Sequence, residues 1–296
     1  MTNKIATEEE LLKLEEKLYT YDGPDKIVSS HELAKDLSTT QDSVFRINTK
    51  IPSLDRLLDT VEAGELILVT GPTGEGKTTL LMSITKNIAE DNISSCWFTL
   101  EVTPRQFLNK ITTMNGTLPL FYLPKQNTEN YVHWIEERII EAKIKYNTQV
   151  IFIDHIHQIF SLQRVSKNVS LEIGDIVAKI KDIAIKNNVI IFLIAHSKDP
   201  ALPEAEPRKE DIRDSGLISR LADSIIGVWR TNNTDNGTVM KRPKQLNETD
   251  NRAKVRVFKN RRTGVLGGFI MIHENHYLRE FDGFETPPKQ IQTLDY

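Results

Sequence analysis

From Arg46 onward, short unbroken apolar runs alternate with longer amphipathic stretches. The runs include Leu66-Ile67-Leu68-Val69, Val150-Ile151-Phe152-Ile153 and Val189-Ile190-Ile191-Phe192-Leu193-Ile194. A run without polar interruption suits a strand covered on both faces. The pattern predicts strands near 66–70, 94–100, 150–154 and 189–195, with helices near 78–90, 104–114, 129–146 and 171–187 between them. This alternation implies right-handed crossovers and a largely parallel α/β sheet with helices on both faces. Residues 231–251, polar and rich in Asn and Thr, read as a loop excursion. Segments near 253–258, 267–273 and 277–281 beyond it read as closely spaced antiparallel strands at the sheet edge.

Residues 1–45 stand apart as a short helical extension. Glu8 to Tyr19 predicts a charged helix with Leu11, Leu14 and Leu18 on one stripe. After a turn at Gly23-Pro24, Ser29 and Glu32 form a capping box that opens a second short helix. Neither helix has enough apolar surface to fold alone. The first packs either on its own core or on a neighbouring copy. The domain of interest spans 46–282, and the Pro- and Gln-containing tail at 283–296 has a composition that fits disorder.

The chain has 296 residues, a net charge of −3 and one cysteine. That length suits one large domain with an appendage. A lone Cys96 excludes an intramolecular disulfide and a cysteine zinc site, and its apolar neighbours predict a buried, inert thiol. No apolar stretch is long enough to span a bilayer, and the polar N-terminus lacks a signal-peptide core. These features predict a cytoplasmic protein without a membrane partner. The mild negative charge leaves a local basic surface possible, so nucleic-acid binding stays open.

Gly71-Pro72-Thr73-Gly74-Glu75-Gly76-Lys77-Thr78 fills every fixed position of a GxxxxGK[ST] phosphate loop. An apolar run precedes it and an amphipathic run follows, which is the strand–loop–helix context the motif requires. Gly71, Gly74 and Gly76 let backbone N–H groups turn toward phosphates, with Thr73, Glu75 and Thr79 beside them. Lys77 supplies a charge to the phosphates and Thr78 a hydroxyl ligand for Mg²⁺. The expected cofactors are therefore ATP, or another NTP or dNTP, and Mg²⁺.

In such a sheet, ligands sit at the carboxyl ends of strands. Asp154 closes one strand and fits the second Mg²⁺-site carboxylate. Glu101 closes another, where it acts as general base or merely caps a helix. His196 closes the longest apolar run, as a γ-phosphate sensor or as an ordinary surface histidine. Further on, Arg252, Lys254 and Arg256 alternate with Ala253, Val255 and Val257, which predicts an edge strand with one basic face. Lys259, Arg261 and Arg262 then precede a Thr263-Gly264 turn that presents them outward. An outward arginine in an NTPase suggests a finger inserted into a neighbour's site.

Together these segments resemble the ring-shaped replicative helicases of the DnaB and Twinkle type, and most of all the helicase half of phage primase-helicases. The resemblance covers residues 46–282. It rests on Ile51-Pro52-Ser53-Leu54-Asp55, the phosphate loop, Phe98-Thr99-Leu100-Glu101, Ile153-Asp154-His155-Ile156, Ile194-Ala195-His196-Ser197-Lys198-Asp199-Pro200, Asp211-Ile212-Arg213-Asp214-Ser215-Gly216 and Lys259-Asn260-Arg261-Arg262-Thr263-Gly264. It implies a RecA-like P-loop NTPase fold, with antiparallel edge strands at the C-terminus, that forms hexameric rings around single-stranded DNA. The implied roles are Glu101 as catalytic base, Asp154 on Mg²⁺, and His196 as the link from γ-phosphate to a DNA-binding loop. Lys259 and Arg261 resemble the sensor lysine and arginine finger that reach the adjacent subunit. Arg230 resembles a residue that stacks on the nucleotide base.

Two loops would face the ring channel. Ser161 to Ser170 carries Gln163, Arg164 and Lys167, and Ser197 to Asp214 carries Lys198, Arg208, Lys209 and Arg213. Their basic groups would neutralise phosphates without reading sequence. The chain departs from the family pattern at Asp214, where a glycine is common, and in the proline-rich second loop. No zinc-binding or primase module is present, so a separate primase or polymerase is the expected partner. The resulting expectation is an ATP-driven hexameric helicase moving 5′ to 3′ on single-stranded DNA. A recombinase of the RecA/RadA type and a slow nucleotide-gated scaffold are the alternatives.

Overall fold

The computed structural model describes residues 8–23, 26–39, 44–112, 118–125, 131–156, 158–159, 169–197, 215–230, 252–274 and 277–281. The excursion at 231–251, most of both proposed channel loops and the C-terminal tail lie outside them. The chain divides into two units, Met1–Val44 and Phe45–Tyr296.

The first unit holds α1 (Glu8–Tyr19) and α2 (Ser30–Thr39). The Glu32 N–H donates to Ser29 Oγ at 3.1 Å, so the serine does cap α2. Leu11, Leu14 and Leu18 on α1 are each at least half exposed.

The second unit opens with β1 (Arg46–Ile47), α3 (Pro52–Leu58) and β2 (Val61–Glu62), where β1 and β2 form a small antiparallel pair. Asp55 locks this entry. Its carboxylate accepts from the Thr49 N–H and hydroxyl, both at 2.7 Å, and from the Lys50 N–H at 3.0 Å.

The main elements follow as β3 (Leu66–Gly71), α4 (Lys77–Ala89), β4 (Ser95–Thr99), α5 (Pro104–Thr112), α6 (Tyr131–Tyr146) and β5 (Val150–Asp154). After them come α7 (Val169–Lys186), β6 (Ile190–His196), α8 (Ser215–Leu221), β7 (Ser224–Arg230), β8 (Arg252–Asn260), β9 (Gly267–Glu274) and β10 (Tyr277–Glu280). One eight-stranded sheet runs β10-β9-β8-β7-β3-β6-β5-β4. Strands β7, β3, β6, β5 and β4 are parallel, and β8, β9 and β10 add antiparallel strands at one side.

Alternation along each strand splits the core in two, because successive side chains leave a strand on opposite faces. Ile67, Val69, Trp97, Phe152 and Phe192 pack with Leu80, Leu81 and Ile84 of α4 on one side. Leu66, Leu68, Phe98, Ile151, Ile153 and Leu193 pack with Ile135, Ile139, Ile176 and Ile180 on the other. Phe152 stacks between Trp97 and Phe192 at ring centroid separations of 4.7 and 5.2 Å. Truncating such a ring to alanine costs about 3–5 kcal/mol. Cys96 lies inside this core, and burial pushes its thiol up to about 12.

One expectation is corrected. Strand β8 is not an edge but lies between β7 and β9, with β10 at the rim. Its basic face is tolerated because the cations lie over aromatic rings rather than opposite one another. Arg252 sits over Phe281, Lys254 over Trp229 and Arg256 over Phe258, at 4.8 to 5.9 Å from ring centres. The edge-strand reading failed because side-chain alternation reports which face of a strand is exposed, not whether both of its backbone edges are paired.

Candidate active site at the carboxyl edge of the sheet

Strand β3 ends where the backbone of β7 comes closest. A Cβ on Gly71 would collide with the Val228 carbonyl oxygen, so only glycine fits. Gly74 and Gly76 then adopt φ of +80° and +108°, a left-handed region that other residues enter at a cost. Gly76 is the N-cap of α4 and supplies no side-chain cap. The first N–H groups of the helix therefore keep their capacity to donate, which together with the helix dipole makes an anion site.

Lys77 folds over this loop, its Nζ donating to the carbonyls of Gly71 at 2.9 Å and Pro72 at 2.7 Å. Burial lowers its pKa to about 8, against the opposing pull of Asp154, Glu101 and Glu75. A polyanion at the loop would meet a charge already placed and partly desolvated. On the next residue, Thr78 Oγ1 donates to Asp154 Oδ2 at 2.8 Å. Hydroxyl and carboxylate are hard oxygen donors converging at a helix start, the donor chemistry that Mg²⁺ selects. The residues present thus fit both a triphosphate and its metal.

The remaining predicted groups gather around this pair. The Leu100 N–H donates to the Asp154 carbonyl at 2.8 Å, which fixes the end of β4 beside that of β5 and holds exposed Glu101 at the mouth. His196 Nδ1 lies 3.5 Å from Thr73 Oγ1 of the phosphate loop. Glu75 accepts from the Arg230 N–H at 2.5 Å, which brings the end of β7 to the loop, with the Arg230 residue exposed. Thr79 lies in the first turn of α4, where its carbonyl accepts from Ser83 Oγ.

Two histidines to which sequence reasoning gave no role belong to this site. His155 is buried, with Nε2 3.7 Å from Glu101 Oε2 and its ring 4.3 Å from that of His196, edge to face. Burial holds its pKa below the ordinary histidine value, while Glu101 and Asp154 pull it back up. Its place directly after a strand-end aspartate was the available signal. His273 on β9 lies against Gly76, and its Nε2 is buried without a hydrogen-bond partner among the described residues. Burial, and then the Arg230 charge, lower its pKa to about 4. No sequence signal marked it, since a histidine in an alternating strand looks like any half-buried residue.

Lys259 and Arg261 are elsewhere. Strand β8 runs antiparallel to β7, so its end lies at the start of β3 rather than at its loop end. Lys259 Nζ donates to the Ser219, Arg220 and Ala222 carbonyls at the C-terminus of α8. Arg261 donates to Asp223 Oδ1 at 3.2 Å and to the Arg220 carbonyl at 2.9 Å, with its side chain about half exposed. Asp223 Oδ2 in turn accepts from the Leu66 N–H at 2.8 Å. Arg261 is thus anchored one strand length below the phosphate loop, about 17 Å at roughly 3.3 Å per residue. Arg262 is pinned by Glu62 at 2.6 Å. The proposed DNA contacts Arg164, Lys167, Lys198, Arg208, Lys209 and Arg213 lie outside the described residues.

The model of the DnaB-like helicase C-terminal domain matches residues 46–131 and 122–282, two overlapping stretches that cover most of the chain. The chain belongs to this family. Among its relatives is the DNA helicase/primase of Enterobacteria phage T3, 25% identical over 283 residues. That alignment covers 82% of this chain and 47% of the phage protein, so the chain spans about half the length of the curated relative it matches.

Solved structures agree on the fold of this DnaB-like domain. A DnaB-like replicative helicase studied with primase superposes with a TM-score of 0.68 at 14% identity, covering 92% of this chain and 72% of that one. A structure that consists of an ATPase domain gives 0.67 at 14% identity, covering 85% and 97%. A KaiC-like protein from Pyrococcus horikoshii OT3 gives 0.59 at 17% identity, covering 81% and 100%. The RecA-like core with antiparallel strands added toward the C-terminus is therefore the shared architecture.

Proposed function

We propose that this chain is the motor of an NTP-driven DNA helicase, assembling as a hexameric ring that moves 5′ to 3′ on single-stranded DNA. The observation that carries the reading is the convergence of Lys77, the Thr78–Asp154 pair and Glu101 on one phosphate loop. Family membership supports the helicase role, and the polarity and ring form rest on the resemblance.

Lys77 and the N–H groups of the loop bind the phosphates. Thr78 and Asp154 would hold Mg²⁺, which would supply positive charge against the phosphates. Glu101, exposed at the mouth, orients a water and accepts its proton. His196, between Thr73 and His155, responds to the γ-phosphate and passes the change to the segment after β6. Arg230 stacks on the nucleotide base. Arg261 and Lys259 serve a neighbour's site, a reading supported by their distance from the loop of their own chain. Residues 1–45 link subunits through the exposed Leu11, Leu14 and Leu18 stripe. The basic residues of the two loops grip DNA phosphates, and a separate primase or polymerase completes the replication machinery. The proposed compartment is the cytoplasm or an equivalent site of DNA replication. Among the described residues, no helix is long and apolar enough to cross a membrane.

The test is unwinding of forked duplexes that carry either a 5′ or a 3′ loading tail, with Lys77→Ala as control. Displacement that needs the 5′ tail, NTP and Lys77 is the expected result. Hydrolysis stimulated by single strands without displacement would favour a strand-exchange ATPase, and no stimulation at all would favour a nucleotide-gated scaffold.

A further inference from the structure

Glu101, His155 and His196 stand at the ends of three adjacent parallel strands, β4, β5 and β6, and their ligand atoms come together. One carboxylate oxygen and one ring nitrogen from each histidine lie within 4.8 Å of one another. His155 Nε2 and Glu101 Oε2 stand 3.7 Å apart, longer than a hydrogen bond. The two imidazoles meet edge to face at 75°, so they are not simply stacked. Two imidazoles and one carboxylate with an open side are the donor set of borderline transition metals.

We propose that Glu101, His155 and His196 form a binding site for a divalent transition metal, Zn²⁺ foremost, separate from the Mg²⁺ position at Thr78 and Asp154. Ligands about 2.0–2.2 Å from a tetrahedral zinc stand about 3.4 Å apart, so separations of up to 4.8 Å must close by as much as about 1.4 Å. Glu101 lies on an exposed bend where its carboxylate can adjust, whereas His196 ends β6 and buried His155 directly follows β5. The two sites divide by chemistry. Mg²⁺ takes hard oxygen donors and keeps its waters, whereas imidazole nitrogen favours Zn²⁺ and its neighbours.

The consequence for turnover rests on the reading of Glu101 as base and His196 as γ-phosphate sensor. A metal on this triad occupies the carboxylate that must take the proton of water and clamps the sensor beside it. Zn²⁺ at the triad therefore arrests hydrolysis while leaving the phosphate loop able to hold nucleotide. The site acts as a brake.

The experiment uses the untagged full chain, dialysed against Zn²⁺ or Co²⁺ with excess Mg²⁺ and no nucleotide. One metal per chain is expected, with visible Co²⁺ absorption bands from a mixed nitrogen–oxygen site. Glu101→Gln and His155→Asn should each weaken binding by at least about 10-fold. Glu101 is exposed, so its variant tests the site without disturbing the core, and nucleotide binding confirms that each variant is folded. Failure of the wild type to retain metal, or retention unchanged in both variants, overturns the site. In the second arm, Zn²⁺ should suppress NTP turnover reversibly by chelator, and undiminished turnover at saturating Zn²⁺ overturns the brake. A chain that binds one metal through these residues yet never hydrolyses NTP in Mg²⁺ supports the site and removes the helicase reading.

Discussion

Thr78 Oγ1 donates to Asp154 Oδ2 across 2.8 Å, joining the first turn of α4 to the end of β5. The same two side chains would supply oxygen ligands to Mg²⁺. Asp154→Asn keeps the shape and removes the charge. It should lower turnover at fixed Mg²⁺ by about 100-fold while nucleotide still binds. A Mg²⁺ titration of hydrolysis beside a fluorescent-nucleotide titration checks this, and parallel losses in both would point to a structural defect instead.

Lys77 gives a pH signature. Burial places its pKa at about 8, and a bound phosphate raises it, so binding takes up a proton. Affinity should be flat below that value and fall as pH rises through it, approaching about tenfold per unit. Nucleotide titrations from about pH 7 to about pH 10 in buffers of differing ionisation enthalpy would reveal the uptake. Lys77→Ala should bind weakly with no such slope.

Arg261 and Asp223 separate anchoring from catalysis. Asp223 also pairs with Lys181 at 2.6 Å and is largely buried. Asp223→Ala should therefore destabilise the fold by about 3 kcal/mol, measured by denaturant unfolding, because Lys181 loses its partner. Arg261→Ala should leave stability nearly unchanged and reduce turnover by about 10³-fold or more. Mixing it with Lys77→Ala chains should restore part of the activity, since each contributes what the other lacks. Normal hydrolysis by Arg261→Ala alone would remove the finger assignment.

His273 ties stability to acidity. Its folded pKa of about 4 lies below the 6.5 of an unperturbed histidine, so the unfolded chain binds a proton that the folded chain refuses. Its contribution is complete above about pH 6.5 and is lost as pH falls toward about 4. Against His273→Leu, the wild type should lose on the order of 2–4 °C of Tm between about pH 7.5 and about pH 5. Parallel melting curves across that range would refute the buried neutral imidazole.

Much of the fold was legible because unbroken apolar runs leave little choice of strand, and Gly71 to Thr78 leaves little choice of ligand. Ser29 and Glu32 marked a helix start that the structure reproduces. What stayed hidden depended on strand order. Placing Arg261 at the far end of the sheet requires knowing that β8 runs antiparallel to β7. Seeing His273 beside Gly76 requires β9 to curl toward the loop, a contact between residues almost two hundred positions apart. His155 shared a motif with Asp154, but alternation along a strand predicts that neighbours face apart. The chain leaves β5 at that point, so the rule no longer held.

Strands β3 and β6 are paired residue for residue from Leu66 with Ile191 to Gly71 with His196, and the Ser197 N–H extends the ladder onto the Gly71 carbonyl at 3.2 Å. The cradle and its neighbouring histidine are therefore two points on one stiff plate. A slip of one strand past the other would carry every buried side chain of β6 to the wrong face. On the proposed reading, a change felt at the phosphate loop would reach His196 through this fixed pairing and not through sliding of β6 along β3.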